Sequence, residues 1–186
     1  MKPRVFDPLR LDVAAFAGDQ AELDGQWAVN ELARLSDGTV APPEGSAAEP
    51  VHWHVQGESR ARRMADPQLW LHLEAETTVW LQCQRCLKPM REELRVQRSF
   101  RFVATESEAE AEDAEAEEDV LALTRSLDLR ALVEDELILE LPLVPRHEQC
   151  PEPLPMPAPD PLETPPEAAP NPFAQLAVLK RGKSSH

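Results

Sequence analysis

The 186-residue sequence predicts an α+β fold, an antiparallel sheet with a long central hairpin packed by one main amphipathic helix. Three observations carry that expectation. From Leu69 to Cys83 the odd positions (Leu69, Leu71, Leu73, Val79, Leu81) are apolar and the even ones (His72, Glu74, Glu76, Gln82) mostly polar, with Trp70 and Trp80 among them. Period-two alternation over that length reads as a strand with one buried and one wet face. A second alternating stretch, 90–103, follows the short segment Cys83–Pro89, so the two pair as a hairpin. Behind Asp128, a capping residue, Leu129, Leu132, Val133, Leu137 and Leu141 fall near helical spacing.

The other elements follow in chain order. One strand starts near Leu23, and a short helix is expected near Asn30–Leu35. Val51, Trp53 and Val55 alternate with His52, His54 and Gln56 as a further strand. In the second hairpin strand Leu94, Val96, Phe100 and Phe102 form the apolar face, with Arg91, Arg95 and Arg101 opposite. Arg98 interrupts the apolar face and marks an expected bulge. Residues 106–119 read ESEAEAEDAEAEED, nine acids and no base, and are expected to be a solvated, disordered loop. Another strand starts near Val120, and the main helix ends at Pro142 and Pro145. Nine prolines in residues 151–170 predict an extended linker, and a short helix starts at Asn171 with Pro172 in its first turn. The expected organisation is one domain over 1–149 with the acidic insert 106–119, a linker over 150–170, and a short helix and tail over 171–186.

Composition narrows the function. The formal net charge is −15, from 19 Lys and Arg against 34 Asp and Glu. That total argues against a general nucleic-acid binder. Its distribution matters more, because residues 1–105 sum to −2, the acidic run to −9 and residues 120–186 to −4. Apolar runs are too short for a membrane span, and no apolar signal core follows Met1-Lys2-Pro3-Arg4, so a cytoplasmic location is expected. Three cysteines suit a reducing compartment better than a disulfide framework.

Cys83-x-x-Cys86 in the hairpin turn and His147-x-x-Cys150 after the main helix have the spacing of paired zinc ligands. The plainer reading takes precedence, with Cys83 packed inward by parity, Cys86 and Cys150 bystanders, and no cofactor. Structural zinc at Cys83, Cys86, His147 and Cys150 stands second. His52, His54 and His72 share the outward parity of Trp70 and Trp80, which cross-strand packing explains as well as metal binding or base stacking. Arg60, Arg62 and Arg63, then Arg85, Lys88, Arg91, Arg95, Arg98 and Arg101, form the basic concentration, and the 85–101 stretch is either a phosphate-contacting face or a solvated one. Glu134, Asp135 and Glu136 lie on the polar face of the helix. No glycine-rich phosphate loop or nucleophile elbow is present, so no active site is expected.

Three segments taken together are distinctive: LQCQRCLKP at 81–89, LDLRALVEDELILELPLVPRHEQC at 127–150, and NPFAQLAVLKR at 171–181. The set resembles the bacterial YceD family, the large ribosomal RNA subunit accumulation proteins. The stretches around Asp7-Pro8 and Leu23-Asp24-Gly25 are similar in placement. The resemblance extends over nearly the full length, and both low-complexity inserts fall where the family varies. It implies a non-catalytic role in the synthesis, processing or stability of 23S ribosomal RNA. It also implies that Cys83, Arg85, Cys86, Leu87, Asp128, Leu129, Glu134, Glu136, Pro142 and Cys150 are the recurring positions. Some relatives carry a further Cys-rich segment after the equivalent of Cys150, where this chain has its proline linker, and that departure counts against zinc.

The expected function is therefore a ribosome-biogenesis factor acting through a basic ribosomal protein or assembly factor. Its acidic loop and helix face, including Glu134 and Glu136, would attract such a partner. Contact with ribosomal RNA through Arg85, Lys88, Arg91, Arg95 and Arg101 is the alternative, and a zinc-stabilised interaction protein is another. No membrane or small-molecule substrate is expected.

Overall fold

The structure, a computed structural model, describes residues 4–151. The proline-rich stretch from 152 and the helix expected from Asn171 lie outside the described residues. In chain order the elements are helix α1 (Val13–Gly18), strand β1 (Glu22–Trp27), a 3-10 turn (Val29–Glu31), helix α2 (Ala33–Asp37), strands β2 (Val51–Arg62), β3 (Ala65–Gln82) and β4 (Pro89–Val103), helix α3 (Glu106–Asp113), strand β5 (Asp119–Ala122) and helix α4 (Leu129–Leu139). The strands form one sheet in the order β1-β2-β3-β4-β5. No helix among the described residues is long and apolar enough to cross a membrane.

The sheet is mixed. The first four strands pair antiparallel, and β5 runs parallel to β4 from Phe100↔Asp119 to Val103↔Ala122. The wholly antiparallel sheet expected from the sequence is corrected at this edge. A parallel neighbour needs a crossover rather than a tight turn, and the acidic run supplies it. Its first part, Glu106–Asp113, is a helix where a loop was expected. Thr105 caps α3 by accepting from the Glu108 N–H at 3.2 Å. Asp113 accepts from the Val120 N–H at 3.1 Å and ties the helix end to β5.

The central hairpin keeps an unbroken register from Leu69↔Phe102 to Gln82↔Pro89. Arg98, opposite Leu73, therefore marks no bulge. It stands on the apolar face because its guanidinium meets α4, bonding Glu136 at 3.2 Å and pairing with Glu140 at 3.7 Å. A register shift occurs instead near the β2–β3 turn, between Arg60 and Arg62.

The inner sheet face carries the core, including Val55, Leu71, Leu73, Leu94 and Phe100, packed with Phe16 of α1, Leu35 of α2 and Val133 and Leu137 of α4. Gly57 is required where α1 crosses β2, since a Cβ there would stand 2.8 Å from the Phe16 ring and carbonyl. Asp128 caps α4 by accepting from the Ala131 N–H at 3.1 Å, and Pro142 follows its last turn.

Candidate functional site

The hairpin turn and the segment after α4 meet at the end of the sheet. The turn closes through Cys83 N–H to Lys88 C=O at 3.0 Å and Leu87 N–H to Cys83 C=O at 2.8 Å. Leu87 takes a left-handed backbone, φ 58°. Gln84 N–H donates to the Pro145 carbonyl at 2.8 Å, bringing the 145–150 arm alongside.

This folding brings together all four residues of the CxxC and HxxC pairs. The ligand atoms of Cys83, Cys86, His147 and Cys150 lie within 4.8 Å of one another. Cys83 Sγ is 4.0 Å from Cys150 Sγ, and Cys86 Sγ is 3.4 Å from His147 Nδ1. A tetrahedral zinc with Zn–S bonds near 2.3 Å would set sulfur–sulfur edges of about 3.8 Å. The Cys3His cluster therefore has the donor set and spacing that could hold a metal ion, with Cys86 and Cys150 drawn together beside Cys83.

Its surroundings favour the thiolate at Cys83. Burial pushes the Cys83 thiol up, but backbone N–H groups of Cys86, His147 and Arg85 overcome it and hold the group at about 5. Cys86 is raised, first by burial, with only the Lys88 N–H opposing and both other sulfurs adding. His147 Nε2 lies 3.2 Å from the Pro89 carbonyl, which can only accept. The ring hydrogen therefore sits on Nε2 and leaves Nδ1 facing the sulfurs, the orientation a ligating imidazole needs. Arg85 donates from Nε to Cys150 Sγ at 3.0 Å and from its Nη2 to the carbonyls of His147 at 2.9 Å and Glu148 at 3.4 Å. Three thiolates and one divalent cation leave one negative charge, which the Arg85 guanidinium offsets.

The basic and acidic candidates lie elsewhere. Arg91 pairs with Glu49 at 3.2 Å, and Arg95, 75% exposed, reaches Glu93 at 3.5 Å. Arg101 is buried between Glu112 and Glu118, the latter at 2.6 Å. Lys88 is exposed on the turn. Glu134 is buried against α2 and Glu136 against β4. Glu134 accepts from the N–H groups of Arg34 at 2.7 Å and Leu35 at 3.2 Å, and from the Arg34 guanidinium. Burial opposes its charge, but these donors hold its carboxyl below the ordinary range. Burial raises Glu136 despite Arg98. The arginines of β4 thus spend much of their charge inside the molecule, and two acids expected on the outer face of α4 are structural.

One constellation escapes sequence spacing. On the outer sheet face Ser99 is 2.8 Å from His72 Nδ1, and His72 Nε2 is 2.8 Å from Glu58. The order Ser–His–Glu resembles a nucleophile relay. However, His72 and Ser99 are register partners within the β3–β4 ladder, whose N–H groups serve strand pairing rather than an oxyanion pocket. Arg60 bonds Glu58 through two contacts of 2.8 Å, so the carboxylate chiefly orients Arg60 and His72. A groove of about 890 Å³ lies on the same face, walled by Asp24, His52, His54, Glu74, Glu76 and Arg95. Its two imidazoles share the outward parity expected of them.

Over residues 71–180 the chain matches the family described as large ribosomal RNA subunit accumulation protein YceD. A relative of that description from Haemophilus influenzae is 31% identical over 178 residues, covering 94% of this chain and 96% of the relative. No solved structure matches the chain.

Proposed function

The chain belongs to the YceD family of large ribosomal RNA subunit accumulation proteins, and from that premise we propose that it is a non-catalytic ribosome-biogenesis factor. It supports the synthesis, processing or stability of 23S ribosomal RNA in the cytoplasm and acts by binding rather than by chemistry. Family membership carries the first part of this reading. Charge pairing supports the second. Arg34, Arg91, Arg98 and Arg101 each face carboxylates. Glu106, Glu110, Glu115 and Glu117 are exposed, and their carboxylates have no partner among the described residues. The surface is left acidic, which suits a basic ribosomal protein or assembly factor and speeds their encounter.

We further propose that the Cys3His cluster holds a structural zinc. With four protein ligands the ion has no open position for a substrate. Its work is to fasten the 145–150 arm to the hairpin turn. The support is the convergence of four ligand atoms with the Arg85 and Pro89 contacts that orient them.

The partner reading is tested by purifying the untagged complex from cells at low salt and identifying its proteins. A basic large-subunit protein is expected to co-purify and to leave as salt rises from about 0.1 to 0.5 M, where screening shortens to a few ångströms. Retention of only acidic or neutral proteins would contradict it.

A further inference from the structure

The outer face carries a second cluster, of which the charge argument uses only Arg101. Trp70 and Arg101 are register partners on β3 and β4. The Arg60 guanidinium lies 4.1 Å from the Trp70 ring centroid, and the His72 ring stacks beside Trp70 at 6.3 Å. Two guanidinium groups, an indole and an imidazole thus share one patch. Aromatic rings that stack bases beside arginines that meet phosphates are the working parts of single-strand recognition.

The patch is covered by acid. Glu112 and Glu118 both bond Arg101, whose side chain is only 8% exposed. Glu118 is held below the ordinary carboxyl range by its hydrogen bond from Arg101 first and by its own N–H, against burial, and the Arg60 charge adds to this. Its carboxylate thus meets the Arg101 guanidinium directly and feels the Arg60 charge, as a phosphate bound at Arg101 would. A second observation points to a missing ligand. Trp70 is 8% exposed, and its Nε1–H is buried without an acceptor. A buried donor with no partner is costly in a finished core.

We propose that Arg60, Trp70, His72 and Arg101 form a binding site for single-stranded RNA, and that Glu112 and Glu118 occupy it as phosphate mimics until the acidic segment is drawn off. The site deepens the proposed function and rests on it, since the basic partner inferred above is what would draw the segment away. Glu58 belongs to the site as the group that orients Arg60 and His72. The carboxylates of the acidic run 106–119 then have two uses, attracting a basic protein and keeping RNA out until that protein is present.

The test uses the full chain and a fluorescein-labelled 12-nucleotide oligouridylate. The pair Glu112→Gln/Glu118→Gln keeps hydrogen-bond acceptors but removes the charges that compete with phosphate. It is expected to bind roughly tenfold more tightly than wild type, with an affinity that falls as salt rises. The pair Glu106→Gln/Glu110→Gln makes the same charge change at exposed positions without a partner among the described residues, and its affinity should change less than about twofold by the same electrostatics. Equal gains in both pairs would mean bulk charge and overturn the site, as would no gain in either. Hydrogen exchange gives an independent reading. Saturating oligouridylate should deprotect the amides of Glu106–Asp113 in the wild type, and unchanged protection with RNA bound would overturn the cover. If RNA affinity does not rise while the basic protein still co-purifies, the covered site fails and the proposed function stands. The reverse pattern removes the partner and keeps the site.

Discussion

Protein purified without a tag is expected to hold one zinc ion per chain, and Cys83→Ser to hold none. Cys83 is the best-placed ligand to remove. It is fully buried, its sulfur receives three backbone N–H groups, and its thiol is held at about 5. The domain has its own core above α1, α2 and α4, so metal loss should not unfold it. Instead it should release the 145–150 arm, whose ties to the turn run through Pro145, His147, Glu148 and Cys150. Each kcal/mol so lost in a domain of this size lowers the thermal midpoint by roughly 2–4 °C. Metal analysis and calorimetry with and without chelator measure both effects. Zinc-free wild-type protein with an unshifted midpoint would remove the site.

Glu134→Ala is expected to be the most damaging single change on the polar side of α4. Its carboxylate accepts the first N–H groups of α2, including that of Leu35, which is fully buried. Truncation leaves a buried donor without an acceptor, costing about 1–3 kcal/mol. Arg34 is half-exposed and can be rehydrated, so its lost ion pair adds little. The pH dependence has a definite sign. The folded carboxyl is held below its ordinary value, so its contribution is present above the unfolded value, about 4.3, and is lost as pH falls through the folded one. Urea midpoints of wild type and variant should therefore differ at pH 7 and converge on acidification. Equal midpoints at pH 7 would show that the α2 cap contributes nothing.

Alternation between Leu69 and Val103 was enough to place the long hairpin and its inward face, because a half-buried strand writes its burial into every second residue. Asp128 and the apolar spacing behind it placed α4 for the same local reason. The spacing of Cys83, Cys86, His147 and Cys150 offers two candidate ligand pairs but does not show their meeting, where the Gln84–Pro145 contact joins segments some sixty residues apart. Glu134 and Glu136 were illegible in another way. Locally they read as polar-face residues, and only Arg34 and Arg98, on distant elements, turn them inward. The acidic run shows local repulsion overridden by tertiary charge, since Arg101 neutralises two of its carboxylates and Asp113 ties it to β5. Helix α1 had a readable start in Asp12, whose side chain accepts from the Ala15 N–H at 3.0 Å, but six residues give too short a pattern to register.

We propose that a zinc-fastened hairpin turn and an acidic crossover, carried on a single mixed sheet, serve accumulation of large-subunit RNA by binding. The most direct measurement of it is the ratio of mature 23S to 16S ribosomal RNA in cells lacking the protein. The ratio should fall, recover fully with the wild-type chain and recover only in part with Cys83→Ser. A ratio that does not change when the protein is absent would contradict the account.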